Sequence, residues 1–233
     1  TRGSSPMTMS ELMKRLEEAG VPVDEMTRIA MEDVNPEEFT DFDLEPFWND
    51  MPVPFLFTSF GATRTISAPH MIVTLLHHLE IIEGQDIMLI GSKGGYLAAI
   101  IDRMVGRDGS VTLIEPHEEV REYTEERLSF HQSSGRIRVL RPHDMESSDE
   151  EKKVFGRILI TGSVREIPEN IERMVVDGGF VLGPFGGPVH QRLLKRERQG
   201  EIWFDTDLGG VVFGPMDVEE AESGPLDPNS LAN

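Results

Sequence analysis

Cysteine is absent from the 233 residues, which excludes a disulfide framework, a zinc finger, an iron–sulfur centre and a thiol nucleophile together. The absence fits a reducing interior, and a cytoplasmic setting is the expectation. Positive charge is scarce: 22 Lys and Arg stand against 42 Asp and Glu, for a formal net charge of −20. Binding along a phosphate backbone needs clustered Lys and Arg to displace condensed counterions, and no basic or aromatic-interleaved stripe exists, so no nucleic-acid partner is expected. Long apolar runs are missing too. None reaches the ~18 residues of a bilayer span, and the start carries no basic-then-apolar signal pattern, so no membrane partner is expected.

The 233 residues, 38% of them hydrophobic, suffice for one core of ordinary size without staples. Residues 1–6 precede the first Met and are set aside. Residues 9–20 place Leu12, Met13 and Leu16 on one helical face, with Ser10 as the expected N-cap and Gly20 as the stop. A second helix is expected from Asp24 to about Glu32, followed by an acidic, aromatic wrap through Asp50. Residues 1–60 are thereby read as a helical cap, 61–216 as the main α/β domain and 217–233 as an acidic, mobile tail.

From Gln85 onward short β-type runs alternate with helical segments, the pattern of a doubly wound, Rossmann-like parallel sheet with crossover helices. The expected strands are Asp86–Ile90, Ser110–Glu115, Arg136–Leu140, Arg157–Thr161 and Gly179–Leu182; the expected helices are Gly95–Val105, Glu118–His131 and Pro168–Val176. Such sheets bind ligands beyond the carboxyl ends of their strands, which directs attention to the loops after Ile90, Glu115, Leu140 and Ile160.

The first of these loops reads Gly91-Ser92-Lys93-Gly94-Gly95-Tyr96. Glycines let the backbone turn tightly and approach a ligand, and the following helix start offers free N–H donors, so a nucleotide-like ligand fits; a plain tight connection is the competing reading. The second strand ends on Glu115, where a carboxylate supplies the paired acceptors a ribose diol needs; by itself Glu115 would be a solvated strand end. Ser67-Ala68-Pro69 ahead of Met71, Ile72, Leu75, Leu76 and Leu79 is a sound helix N-cap. His77-His78 lacks a convergent acid pair, and Asp205-Thr-Asp207-Leu-Gly209 lacks the remaining ligands of a calcium loop, so no metal is expected and the latter segment reads as a turn.

Thr65-Ile-Ser67-Ala-Pro-His70-Met71 resembles the signature that precedes the first strand of the protein-L-isoaspartate O-methyltransferases. Further likenesses follow in order: Gly91–Tyr96, Val111–Glu115, the segment 134–137, Phe155–Thr161, Glu166–Pro168, Asp177–Gly179 and Leu208–Pro215, so the resemblance spans roughly residues 11–216. It implies a class I methyltransferase fold, S-adenosylmethionine as cofactor, and isoaspartyl residues of damaged proteins as substrate. It further implies that Ser67, Thr65 and Thr161 lie beside the substrate carboxylate. His70, Gly91, Ser92, Gly94, Gly95, Tyr96 and Glu115 would hold the cofactor, with His143 and Asp144 against its adenine. An ionised carboxylate is already a nucleophile and a sulfonium methyl already carries its leaving group, so the implied catalysis is alignment, with no general base.

The chain departs from the family pattern in the cofactor half. Leu89 stands where an acid is expected, Lys93 replaces the middle glycine of the turn, and Pro142-His143-Asp144 replaces Gly-Asp-Gly. A Lys there puts positive charge near a cationic sulfonium, a repulsion of roughly 4 kcal/mol at ~4 Å and ε ~20. The departures motivate a second reading, a homologue that kept the fold as a binding or scaffold subunit. A third, a nucleic-acid methyltransferase on the same sheet, conflicts with the net charge.

Overall fold

The computed structural model describes residues 7–133, 136–147, 149, 152–214 and 216. Residues 1–6 and the segment read as an acidic tail, 217–233, lie outside the described residues, as do Ser134 and Gly135.

Helix α1 spans Met9–Glu18 and buries Leu12, Met13 and Leu16. Its N-cap is Thr8 rather than Ser10. The Thr8 hydroxyl accepts from Glu11 N (3.2 Å) while the Glu11 carboxylate accepts from Thr8 N (3.3 Å), a reciprocal capping box that Ser10 has no Glu at the right spacing to form. Helix α2 (Glu25–Asp33) and the one-turn α3 (Glu45–Trp48) follow, then an antiparallel hairpin of β1 (Val53–Phe57) and β2 (Thr63–Ile66). Helix α4 (Pro69–Leu79) is capped at Ala68 with no side-chain cap bond, so the expected capping role of Ser67 is not taken up.

The central sheet contains β3 (Asp86–Ile90), β4 (Ser110–Ile114), β5 (Arg136–Leu140), β6 (Phe155–Ile160), β7 (Val175–Gly186), β8 (Gln191–Gln199) and β9 (Ile202–Val211) in the order β5-β4-β3-β6-β7-β8-β9. The first five neighbours are parallel, linked by α5 (Tyr96–Val105), α6 (Glu118–Phe130) and α7 (Glu169–Glu172); β8 and β9 are antiparallel additions. Strand β3 is apolar almost throughout because both faces are covered: Ile87 and Leu89 join one core cluster, Met88 and Ile90 the other. The chain leaves β3 for β4 and β5, then returns past β3 to β6, so the order reverses there and opens a crevice above its carboxyl end.

Two expectations shorten or change. The helix read over Pro168–Val176 contracts to α7, because Val175 and Val176 already belong to β7, which runs far beyond Gly179–Leu182. The segment Asp205–Gly209 is strand, not turn, and β8 carries Arg192, Lys195, Arg196 and Arg198. These charges are tolerated in a sheet because each finds a partner: Arg192 Nη2 lies 3.0 Å from Asp207 Oδ1 and the Arg196 guanidinium 5.3 Å from the Trp203 ring centroid on β9, Lys195 Nζ lies 2.7 Å from Glu80 Oε2, and Arg198 donates to Val175 O at 2.7 Å.

Candidate active site

Five loop and strand ends meet above β3. Gly91 closes β3, its N–H donating to Ile114 O at 2.8 Å and its φ at +93°. A Cβ at this position would lie 2.2 Å from Thr161 Oγ1, so only glycine lets β3 and β6 exit side by side. Thr161, just past β6, shares its hydroxyl hydrogen between Ile90 O and Gly91 O, each 3.0 Å away. Lys93, Gly94 and Gly95 then take left-handed backbone angles in succession, with φ of +50°, +77° and +99°. Gly94 passes under the Phe55 ring of β1, where a Cβ would come to 3.0 Å.

Glu115, after β4, is buried at 6% exposure. Its Oε1 accepts from Ser92 N (2.8 Å) and Ser92 Oγ (2.7 Å), and its Oε2 from His117 N (2.9 Å). Ser92 Oγ also reaches Thr124 Oγ1 at 2.8 Å, tying the turn to α6. At the start of α6, Glu118 is bonded by Arg121 (Nε, 3.1 Å) and Arg141 (Nη2, 3.2 Å), which hold its carboxyl down at about 2.

These ends enclose an open cleft of about 170 Å³ whose lining includes Phe55, Arg64, Thr65, Gly91, Lys93, Glu115 and Thr161. A mainly apolar chamber of about 10 Å³, no larger than a water molecule needs, shares Lys93 and Thr161 with it and adds Ser67, Ile72, Leu97 and Phe213. Met216 covers the glycine turn, its N–H donating to Ser163 O at 3.1 Å and its Cε lying 3.0 Å from where a Gly91 Cβ would be. The Lys93 ammonium stands 5.9 Å from the Phe213 ring centroid. Burial, then repulsion from Arg64, push its pKa down to about 8 against the opposing pull of Glu115.

Of the residues expected at the site, the structure brings together Thr65, Gly91, Glu115 and Thr161 around the cleft, with Ser67 in the adjoining chamber; Ser92, Gly94 and Gly95 lie behind the lining, Ser92 bonded to Glu115 and the two glycines packed against Phe55 and Leu128. Tyr96 presents only its ring to that chamber. Its hydroxyl faces Met31 Sδ at 4.0 Å, and its ring packs against Phe39 and Phe47, so it fastens α5 to the N-terminal helices. His70 is drawn away by Asp50, whose Oδ1 accepts from its backbone N–H at 2.7 Å and lies 2.9 Å from its Nδ1. His143 and Asp144 sit in a 3₁₀ turn, half exposed, where Asp144 Oδ2 accepts from Arg141 N at 2.8 Å; neither lines the cleft. Among the described residues no group of His and acidic side chains is arranged to hold a metal. Sequence reading missed Arg64, Phe55, Phe213 and Met216 as wall residues; the first lies directly before the Thr65–Met71 string, and Phe213 lies within the Leu208–Pro215 likeness.

A doubly wound sheet with its order reversing at β3, a glycine turn leading into α5 and an acid ending β4 define a class I S-adenosylmethionine-dependent methyltransferase. The sequence pattern of the protein-L-isoaspartate(D-aspartate) O-methyltransferases matches residues 7–221, and the chain belongs to that family. It is 30% identical to the protein-L-isoaspartate O-methyltransferase of Methylorubrum populi, over 83% of this chain and 85% of that one. It is also 30% identical to that of Methanothermobacter thermautotrophicus, over 88% and 93%. The crystal structure of a Plasmodium falciparum protein described as a putative protein-L-isoaspartate O-methyltransferase, in complex with S-adenosyl-L-homocysteine, shares the fold. Its TM-score is 0.76 at 20% identity, covering 91% of this chain and all of that one.

Proposed function

We propose that the protein transfers a methyl group from S-adenosylmethionine to the free carboxylate of isoaspartyl residues in damaged proteins, as a repair enzyme of the cytoplasm. The observation that carries the reading is Glu115: a buried carboxylate at the end of β4, held by Ser92 and His117 and lining the same cleft as Thr65 and Thr161. A carboxylate has about four lone-pair sites, and three donors leave capacity for a ribose hydroxyl. This acceptor therefore fits the nucleoside, and the left-handed glycines of the turn let it pack closely under Phe55 and against Leu128, which seats Glu115 and Gly91 at the cleft.

Bound there, S-adenosylmethionine supplies an electrophilic methyl group on sulfur. In this reading Glu115 fixes the nucleoside through its ribose, Gly91 forms part of the wall beside it, and Ser92 holds Glu115 in place from behind. Ser67 and Thr65 orient the acceptor carboxylate from the side of β2, and Thr161 closes the space between. No side chain has to remove a proton, because the acceptor is ionised at neutral pH; the protein contributes alignment and exclusion of water.

Transfer of a radiolabelled methyl group to an isoaspartyl peptide, and not to its aspartyl counterpart, tests the proposal. Absence of transfer at saturating cofactor would overturn it. One observation favours the binding-subunit reading instead, the Lys93 side chain lining the cleft. Calorimetric titration with S-adenosylmethionine separates the two, since saturable heat excludes a site closed by that ammonium.

A further inference from the structure

Lys93 holds a φ of +50° in the middle of a turn where glycine would carry no such strain. Strain kept at a binding site points to a use for the side chain that causes it. The side chain lines both spaces. On one side it shares the cleft lining with Arg64 from β2 and with Glu115 and His117 from the loop after β4; on the other it shares the chamber lining with Ser67, Thr161 and Phe213, whose ring centroid is 5.9 Å from the ammonium. Glu115 does not neutralise it, because that carboxylate is bonded to Ser92 and His117, and among the described residues no carboxylate pairs with the Lys93 ammonium. A partly desolvated ammonium beside a second cation is a place prepared for an anion.

We propose that Lys93 is a specificity-determining residue that takes up the carboxylate of the methyl acceptor on the Ser67 and Thr161 side of the cleft. The inference rests on the carboxyl-transfer reading given above. The ammonium donates to one carboxylate oxygen and leaves a lone pair of the other for attack. The same negative charge, placed beside Lys93, offsets the repulsion this residue would otherwise exert on a sulfonium. It also holds the proton more firmly on the amine, whose pKa burial and the Arg64 charge lower to about 8.

The test compares an isoaspartyl peptide with the same peptide bearing a methyl ester at that carboxyl. Calorimetry with the full chain and S-adenosylhomocysteine present follows the wild type, Lys93→Met and Lys93→Gly, the last removing the backbone strain so that folding is secured. The wild type should prefer the free carboxylate by about tenfold, and both variants should lose that preference. In addition, the ¹³C-methylated amine of Lys93 should titrate higher when the free peptide binds and stay unmoved with the ester. If the wild type methylates the isoaspartyl peptide while both variants keep the preference, this inference alone is overturned. If the wild type binds neither peptide nor S-adenosylhomocysteine, the transfer reading falls and takes the inference with it.

Discussion

Glu115 and Ser92 are joined twice through one oxygen: Oε1 of the carboxylate accepts both the backbone N–H of Ser92 at 2.8 Å and its hydroxyl at 2.7 Å. The loop that ends β4 is thereby tied to the loop that ends β3, and the two form the cofactor half of the cleft together.

Glu115→Gln should break this arrangement, because an amide nitrogen cannot accept either the His117 N–H or the Ser92 pair, and one buried donor loses its partner. A stability loss of about 1–3 kcal/mol is expected in urea unfolding. S-adenosylhomocysteine affinity should fall about tenfold by calorimetry, with Glu115→Ala weaker still.

Lys93→Gly should raise stability by about 1 kcal/mol by removing left-handed strain from a residue with a side chain. The gain has a pH signature. The folded-state pKa of Lys93 is lowered to about 8 from 10.5, so between these values the unfolded chain binds the extra proton. Wild-type stability then rises with pH relative to the variant from about 8 to 10.5, and below 8 the full cost of the buried charge is present. Denaturant midpoints measured at pH 7 and pH 9.5 check the convergence.

Gly91→Ala should cost about 2–4 kcal/mol, since its Cβ would meet Thr161 Oγ1 at 2.2 Å in a backbone region alanine avoids. Adding Thr161→Ala should restore part of the loss by removing the obstructing oxygen while leaving the φ penalty. Equal melting temperatures for the single and double variants would contradict the steric account.

Glu118, depressed to about 2 from 4.5 by Arg121 and Arg141, should contribute stability that is whole above pH 4.5 and disappears as pH falls through 2. The pair is 39% exposed at Glu118, so the contribution is below about 1 kcal/mol after solvent screening. Melting curves of the wild type and Glu118→Gln should differ at pH 6 and merge near pH 2.

The parallel strands were legible from the run of four apolar residues in Asp86–Ile90 and from the β-branched Ile137 and Val139 flanking Arg138 in Arg136–Leu140, and both fall where the pattern places them. Strands β8 and β9 were not, because their charges find partners only in the folded chain, Arg192 with Asp207, Lys195 with Glu80 and Arg196 with Glu172 and the Trp203 ring, and a one-dimensional pattern does not contain those pairings. At the site, the glycine turn and Glu115 could be read because each carries its chemistry locally. His70 and Asp144 could not. Their placement is decided by Asp50, twenty residues upstream, and by the local closure onto Arg141 N.

The β1–β2 hairpin supplies Phe55 and Arg64 as one wall of the cleft, while Phe213 and Met216, after the final strand, form its roof. The cleft is thus walled by residues some 160 positions apart in the chain, and loss of Phe213 and Met216 would unroof it while leaving Glu115 and the turn after β3 in place.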